Sequence, residues 1–570
     1  MSADSGVERQ RFPRPTAIEW AALAASLFFT LQYSWLLDDA FIYFRYVDNL
    51  VYLGRGLVFN EGEYVEGYSS PLWCVLLVPL RALGLDWWLI VRAIGLVCAI
   101  GTWALLVRLA REFAPRGAPV TNFPLVYLAF NYAVQSYFTS GVEAPLVQLC
   151  AVGYASYVAR PTSRTAGVLL GLAPLVRHEL ALPFVLALAW AWWRTKRFPW
   201  LPFALCAATV GAWLGFRVVY YADLLPNTFY LKDEVNWARG LRYLHDTFVV
   251  YGTYVLVPAF AALAWFVRPV AGARTAERVV MLAAAALVAV YVAKIGGDPR
   301  HYRYLAFPFC LLACSAAGLL EHGSALWNGA ARTVGVASTT LALAAACFLM
   351  RPRQLTSHPI ARDAGHVQVD EINDAQYHRL KPDLSYSPWT LEPDIERLDD
   401  AQLDLIWGDS PLLPAGPVDI REEYARWRAA GPGGVQPPIR TEGWCATAWR
   451  LFNHTLVHKD GLTDAFLART SAASWRAAHK KELFPLAVDL VALRTRFGSA
   501  PGTFRRAVDA SAAQPWIARN VDALERVARK AFNSHALVEN LELAFTPLPR
   551  VDPGPDPTST VIPGRDRAEK

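Results

Sequence analysis

The stretch "WLLDDAFIYFRYVDNLVYLGRGLVFNEGEYVEGYSSPLW", residues 35–73, places two adjacent carboxylates, Asp38 and Asp39, at the end of an apolar segment. A membrane-spanning helix needs about 20 apolar residues, and the run 17–37 before the pair has that length. Two acids at a lipid boundary repel each other and gain nothing from the lipid beside them. Position alone leaves two explanations open: a signal that ends the first span, or a pair that faces a reaction.

Composition supports a membrane protein with many spans. Of the 570 residues, 54% are hydrophobic and the mean hydropathy is +0.22, which is too high for an ordinary soluble enzyme. The net charge of +6 is modest, so it does not indicate a nucleic-acid partner. The run 17–37 lacks a small-residue cleavage site, so we expect it to be a retained first span and not a signal peptide.

Apolar runs of spanning length recur through the first 350 residues and predict about eleven spans. Residues 166–193 carry a charged centre, Arg177-His178-Glu179, between basic clusters. A pair of short helices that turns at 177–179 keeps both clusters on one side, and we count this region as two spans. The runs are 17–37, 87–107, 121–138, 143–159, 166–193, 199–219, 247–267, 279–295, 303–320 and 331–350.

Arg and Lys fall mainly in alternate loops, which by the positive-inside rule predicts a cytoplasmic N-terminus. The first external loop is then 38–86, with an interfacial helix at 71–85; if 71–85 spans instead, every later loop changes side. Residues 1–350 form a transmembrane module, and 351–545 form a soluble extracytoplasmic domain, mixed α/β or mainly α. The Pro-rich tail 546–570 is predicted to be disordered.

Ionisable residues gather at the predicted outer ends of the spans. Such groups are costly at membrane depth and tend to face a cavity or each other, so we expect one polar cavity that opens outward. The clusters are Asp38 and Asp39, Glu143 in "TSGVEAP", Arg177-His178-Glu179, "YYADLLPNTFYLKDE" at 220–234, and "KIGGDPRHYRYLAF" at 294–307.

These residue types suit group transfer from a lipid phosphate. Cationic side chains can bind the phosphate, which is already a good leaving group, while a carboxylate polarises the acceptor hydroxyl. Asp38 and Asp39 would supply that carboxylate. The cations are Arg177, His178, Lys232, Arg300, His301 and Arg303, and the aromatic residues Tyr43, Tyr46, Tyr64, Tyr68 and Trp73 can stack on sugar rings.

Simpler structural roles remain open for each cluster. Residues 177–179 can form a salt-bridged turn, and Gly296-Gly297-Asp298 is typical of a turn. The basic residues after that turn can bind lipid headgroups instead of a substrate. Tyr and Trp near span ends are often interfacial anchors.

Several segments resemble the GT-C glycosyltransferases, integral membrane enzymes that use polyprenyl-phosphate sugars. They are "DDAFIYFRYVDNLVYLGRGLVFNEGEYVEGYSSPLW", "TSGVE", "YYADLLPNTFYLK", "IGGD" and "GLTDAFLAR" at 461–469. The resemblance is greatest to the terminal β-arabinofuranosyltransferase branch of bacterial cell-wall enzymes. It implies a catalytic role for Asp38 and Asp39, a multi-pass protein of the plasma membrane, and a donor such as decaprenyl-phosphoryl-arabinose.

The expected function is transfer of a pentose, arabinofuranose, from a polyprenyl phosphate to an extracytoplasmic cell-surface glycan. Two alternatives stay open: a GT-C enzyme that moves mannose or an amino sugar to a surface protein or lipid A, and a transporter or lipid flippase. No cofactor is firmly predicted; a divalent cation stays open, although no set of metal ligands supports it. The expected donor- or acceptor-binding residues are Arg45, Glu66, Tyr68, Glu143, Arg177, His178, Glu179, Asn227, Tyr230, Lys232, Asp298, Arg300, His301 and Arg303.

Overall fold

A computed structural model describes most of the first 350 residues and parts of the C-terminal region. The described residues are 12–34, 36–37, 39–115, 121–231, 235–267, 274–298, 302–324, 329–350, 439–442, 455–458, 463–469, 490, 501–511, 515–533, 536–548 and 550–551.

Helices make up the first part of residues 1–350, as far as Thr195. They are α1 (Ala17–Gln32), α2 (Ala40–Val51), α3 (Pro71–Ala82), α4 (Trp87–Phe113), α5 (Phe123–Phe130), α6 (Tyr132–Tyr137), α7 (Ala144–Ala159), α8 (Arg164–Val176) and α9 (Ala181–Thr195), with a 3-10 turn at His178–Leu180. Thr16 begins α1 with a capping box, because its side chain accepts from Glu19 N while the Glu19 carboxylate accepts from Thr16 N.

The remaining described part of residues 1–350 is also helical. It contains α10 (Trp200–Tyr221), α11 (Asn227–Leu231), α12 (Trp237–Val250), α13 (Thr253–Val267), α14 (Thr275–Lys294), a 3-10 turn at Arg303–Leu305, α15 (Ala306–Ser315), α16 (Leu319–Ser324) and α17 (Gly329–Leu349). One large apolar core joins most of these helices to α1–α9.

Length and apolar composition mark four candidate membrane spans among the described residues: α4, α10, α14 and the segment Arg303–Gly323. A fifth is added if α12 and α13, bent by 73°, form one broken span. Several shorter apolar helices, α1, α3, α7 and α8 among them, accompany these. The helices agree with a membrane protein, while the predicted count of eleven spans stays an expectation.

Two of the predicted spans have breaks at polar residues. Residues 166–193 divide into α8 and α9 at Arg177, whose extended backbone ends α8, as the two-helix interpretation predicts. The run 121–138 was predicted as a single span, but Asn131 divides it into α5 and α6. Asn131 is extended (φ −77°, ψ 122°) and its side chain accepts from Val134 N, so it caps α6 instead of continuing α5.

The first loop contains a buried helix, α2, which no apolar run of spanning length indicates in the sequence. Its residues from Ala40 to Asn49 are buried. Asp48 fixes α2 to its neighbours, because its carboxylate accepts from Arg81 Nε at 2.7 Å and from Trp87 Nε1 at 3.1 Å. The loop is therefore a packed layer on the helices and holds its side chains in defined positions.

The described C-terminal elements form a smaller, mainly helical unit. Strand β1 (Ile439–Glu442) pairs in parallel with β2 (Thr455–His458), with Ile439 opposite Thr455. The helices are α18 (Ala465–Ala468), α19 (Pro501–Ala510), α20 (Pro515–Arg519), α21 (Val521–Ala531) and α22 (Leu537–Phe545). A second apolar core joins α18 to α21 and includes Val65 of the first loop, so the loop and this part of the C-terminal region pack together.

Candidate active site

Asp39 is positioned by close packing between the end of the first apolar segment and the "TSGVE" segment. Leu37 N donates to Ser140 O at 2.9 Å, which ties the two segments together. Gly141 has a φ of +78°, and a Cβ atom there would lie 2.6 Å from Ala40 Cβ. Only glycine therefore allows this approach, and it brings Glu143 close to the start of α2.

Arg303 lies at the centre of three carboxylates from separate parts of the chain. Its Nη1 is 2.5 Å from Asp39 Oδ2 and 3.9 Å from Asp298 Oδ2, and its Nη2 is 3.7 Å from Glu143 Oε1. The Arg303 side chain is only 7% exposed. Its Nε is buried and has no hydrogen-bond partner among the described residues. Arg303 thus brings the three carboxylates together.

Gly297 shapes the loop that leads to Arg303. It has a φ of +68°, and a Cβ atom there would lie 2.5 Å from Tyr243 Cγ. The hydroxyl of Tyr243 accepts from Tyr304 N at 3.3 Å. The "IGGD" segment and the 3-10 turn at 303–305 are therefore both held against α12, which fixes Asp298 and Arg303 relative to each other.

Arg177 joins the same network from the turn between α8 and α9. Its Nη1 donates to Glu143 Oε1 at 2.6 Å, and its Nε donates to Glu179. The guanidinium lies 4.3 Å from the ring centre of Tyr304, a cation–π contact. Tyr43 donates to Glu143 Oε2 at 3.3 Å. The predicted salt-bridged turn is present, and it is part of a larger buried network.

His178 lies at the rim of this network. Its Nε2 is 2.8 Å from the Tyr291 hydroxyl and its Nδ1 is 3.6 Å from Glu179 Oε2. Burial favours the neutral form of Glu179, but Arg177 and then His178 outweigh it and lower the pKa of this carboxyl. Glu179 is therefore an anion that orients both neighbours.

The carboxylates of the network differ sharply in exposure. Asp39 is 32% exposed, whereas Glu143, Glu179 and Asp298 are 1%, 3% and 2% exposed. The buried carboxylates and the two guanidinium groups form a fixed layer of charged side chains beneath Asp39. Among the described acids of the network, Asp39 is the one that a substrate can approach. We call the group Asp39, Glu143, Arg177, His178, Glu179, Asp298 and Arg303 the acidic network.

The fifth predicted cluster, at 220–234, belongs to a different place. Asp223 Oδ2 accepts from Arg469 Nη2 at 2.6 Å and lies 3.2 Å from Lys530 Nζ, while its Oδ1 accepts from the Tyr230 hydroxyl at 2.6 Å. Arg469 also lies over the Tyr230 ring at 4.1 Å. This segment therefore contacts the C-terminal region and does not join the acidic network.

Asn227 links three motifs around Asp223. Its backbone N donates to Glu66 O at 2.9 Å, its Nδ2 donates to Asp464 O at 3.2 Å, and its Oδ1 accepts from Arg469 Nη1 at 3.2 Å. "LLPNTFY" and "GLTDAFLAR" are thus in direct contact, with the first loop beside them. We call the group Asp223, Asn227, Tyr230, Arg469 and Lys530 the clamp.

Glu66 and Tyr68 connect the first loop to α10. The Glu66 carboxylate pairs with Arg217 and accepts from Trp213 Nε1 at 3.2 Å. Burial raises the pKa of Glu66, with Arg217 acting against this effect. The Tyr68 hydroxyl lies 3.1 Å from the Tyr221 hydroxyl, and its ring is 5.8 Å from that of Tyr43. Both side chains are buried, so they hold the loop in place.

Arg45 was predicted to bind substrate, but its observed partners belong to the first loop. Its Nε donates to Phe59 O at 2.7 Å and its Nη2 lies 3.5 Å from Asn60 Oδ1. Burial lowers the pKa of Arg45 to about 9. Asn60 in turn pairs with both backbone groups of Leu456. Arg45 therefore supports the loop that contacts β2.

Four predicted site residues, Asp38, Lys232, Arg300 and His301, lie outside the described residues. The described residues contain no group of three or more His, Cys, Asp or Glu side chains that could hold a metal ion. Five residues with polar or cation–π contacts in these groups are not among the predicted site residues: Arg217, Asp223, Tyr291, Tyr304 and Arg469. Arg217 had a usable signal, because a lone arginine within an apolar span requires a partner. Arg469 ends the motif "GLTDAFLAR", but its pairing with Asp223, 246 residues away in the chain, has no local signal in the sequence.

Comparison with known proteins supports the predicted resemblance. The chain is 31% identical to a terminal beta-(1->2)-arabinofuranosyltransferase of Mycobacterium tuberculosis, over 50% of this chain and 52% of the relative. It is 29% identical to an enzyme of the same name from Corynebacterium glutamicum, over 50% of this chain and 49% of the relative. The chain spans about half the length of the curated relatives it matches. No family model and no solved structure matches it.

This similarity confirms the resemblance to the terminal arabinofuranosyltransferase branch of the GT-C enzymes. Both named relatives are glycosyltransferases, and the apolar helices agree with a membrane location.

Proposed function

We propose that the protein is a membrane glycosyltransferase that transfers arabinofuranose from a polyprenyl-phosphate donor to an extracytoplasmic glycan. The observation that carries this proposal is the acidic network, in which one accessible carboxylate, Asp39, rests on buried acids and arginines. The similarity to two arabinofuranosyltransferases supports a pentose as the transferred sugar.

The proposed reaction forms one bond and breaks one bond at the anomeric carbon. The acceptor hydroxyl oxygen bonds to that carbon, and the bond to the phosphate oxygen breaks with both electrons leaving on the polyprenyl phosphate. The hydroxyl proton passes to a carboxylate, for which Asp39 and its neighbour Asp38 are the candidates. Because the phosphate leaves as a stable anion, no strong general acid is needed.

The charge of the acidic network suits the transition state. Glycosyl transfer passes through an oxocarbenium-like sugar that carries positive charge. The described network has four carboxylates and two guanidinium groups, a formal excess of two negative charges. Carboxylates fixed in place before the reaction stabilise a developing cation without reorganising.

The donor phosphate requires cations beside this acidic surface. Arg303 contributes the buried Nε that has no partner among the described residues. Lys232, Arg300 and His301 remain the proposed further phosphate ligands. His178 is 46% exposed at the rim and is proposed to contact the donor or the acceptor. The lipid tail would stay in the bilayer beside the spans.

The proposed topology puts the acidic network at the outer face of the plasma membrane. The N-terminus is cytoplasmic, the first loop is external, and residues 351–545 form an extracytoplasmic domain. A reporter fused after residue 350 tests this arrangement: periplasmic alkaline phosphatase activity is expected there, and a fluorescent cytoplasmic fusion would overturn the proposed side of the site.

A donor panel tests the proposed activity. The purified protein in nanodiscs receives polyprenyl-phosphoryl arabinofuranose, mannose or an amino sugar, together with an arabinan acceptor. Transfer from the arabinose donor alone is expected. Transfer from the mannose or amino-sugar donor would replace the assigned donor. In a parallel reconstitution into vesicles, movement of the lipid donor across the bilayer without sugar transfer would indicate a flippase.

A further inference from the structure

The helix α22 (Leu537–Phe545) has an exposed apolar surface. Leu537, Val538, Leu541 and Phe545 are 54%, 78%, 41% and 65% exposed. Since successive residues of a helix are about 100° apart, these four side chains share one arc of roughly 100°. We call this surface the α22 apolar face.

The rest of α22 divides into two further arcs. Asn540, Leu543 and Ala544 are buried, and they lie on one side of the apolar face. Glu542 is exposed and Glu539 is half-buried, and both lie on the other side. The arc of Asn540, Leu543 and Ala544 thus packs against protein, and the arc of the two glutamates can face water. The third needs an apolar partner, because soluble proteins seldom expose apolar patches of this kind.

The position of α22 identifies that partner. The helix packs against α10, and Asn540 Nδ2 donates to Val219 O at 2.6 Å. Val219 lies in the last turn of α10, where carbonyl groups lack partners within the helix, so Asn540 caps the span. α10 is a candidate membrane span in which only 11% of the most apolar stretch is buried. Val219 itself is 45% exposed, which extends the lipid-facing side of α10 to the position of α22.

We propose that the α22 apolar face inserts into the lipid interface beside the outer end of α10 and anchors the C-terminal region to the bilayer. Amphipathic helices of this type lie about 5–10 Å into the boundary between headgroups and acyl chains. The carboxylates of Glu539 and Glu542 then remain on the water side. The partner is a bilayer surface, and the proposal does not depend on the sugar or the reaction.

Site-directed spin labelling of the full chain in nanodiscs tests the anchor. Val538→Cys and Leu541→Cys carry the label, and the signal of the labelled parent chain is subtracted. The lipid reference is Val97→Cys, a position 68% exposed on the span α4. The water reference is Asp522→Cys, an exposed position on α21. Collision with oxygen, which concentrates in lipid, is compared with collision with a water-soluble nickel complex.

We expect both α22 labels to have a ratio of oxygen to nickel accessibility close to that at Val97 and well above that at Asp522. Ratios equal to that at Asp522 would overturn the proposal, because the face would then lie in water. Low accessibility to both reagents would also overturn it, since another protein surface would then cover the face. Two labelled positions keep the test valid if one variant fails to fold.

Discussion

Asp39 and Arg303 are 264 residues apart in the chain, yet Asp39 Oδ2 lies 2.5 Å from Arg303 Nη1. This contact brings together the first loop and the segment after α14. Because Glu143 and Asp298 also lie within 4 Å of Arg303, one guanidinium group offsets the mutual repulsion of three carboxylates. Asp39 is thereby held at the accessible edge of a buried group of charged side chains.

Arg303→Gln should destabilise the protein and abolish most transfer. Removing one partner from a buried ion pair typically costs about 3–5 kcal/mol, because the remaining charges lose their compensation. The melting temperature, followed by intrinsic fluorescence, checks the stability, and Asp39→Asn combined with Arg303→Gln should be markedly less than additive. Arg505→Gln is the matched control, since Arg505 forms exposed ion pairs that contribute little. Equal effects at both arginines would contradict this account of Arg303.

Asp223→Asn should loosen the clamp while leaving the helical module folded. The substitution removes the charge that pairs with Arg469 and Lys530, both of which are buried. Hydrogen exchange should therefore rise in 463–469 and 521–531, with little change in α4 and α7. Asp509→Asn, which removes an exposed i,i+4 pair with Arg505, is the control. Unchanged exchange in those two segments would show that the C-terminal region docks by its apolar core alone.

Asp464→Asn should remove part of the pH dependence of stability near pH 6. Burial raises the pKa of Asp464 from 3.8 to about 6, so the folded state binds this proton more tightly than the unfolded state does. The contribution of this group to stability therefore falls as pH rises through 6, by on the order of 2–3 kcal/mol in full. In Asp464→Asn the side-chain oxygen can still accept from Phe466 N and Leu467 N, so the variant keeps the helix cap and loses only the charge.

Melting temperatures of the parent and of Asp464→Asn at pH 5 and pH 7.5 check this prediction. The parent should gain stability on acidification relative to the variant. An identical pH dependence in the two proteins would mean that the carboxylate is not desolvated as the structure indicates.

Sequence patterns predicted the members of the acidic network because each has a local signal, an ionisable group next to an apolar run. Asp39, Glu143, Arg177, Asp298 and Arg303 all carry that signal, and the structure brings them together. The signal cannot tell which cluster each group joins. The segment at 220–234 was assigned to the same cavity, but Asp223 pairs with Arg469 and Lys530 instead.

Elements stabilised by distant contacts were not predictable in the same way. The helix α2 has no lipid-length run, and it forms because Asp48 is held by Arg81 and Trp87 and because its remaining surface is buried. Arg45 was expected at the substrate because it follows the Asp pair closely, yet it pairs with Phe59 O. The break at Asn131 has only a weak signal in the sequence, because a single capping side chain lies inside a strongly apolar run.

The rate of sugar transfer by Asp39→Asn tests the central claim most directly. Asn keeps the size of the side chain and removes the charge that accepts the hydroxyl proton, and general-base assistance is worth about 10²–10⁴-fold. Glu61→Gln is the matched control, because Glu61 is an acid of the same loop, 52% exposed and paired with Arg55. We expect Asp39→Asn to lose at least about 10²-fold in kcat with the protein still folded, while Glu61→Gln retains its rate. Near-normal transfer by Asp39→Asn would contradict the account and leave this carboxylate with a structural role.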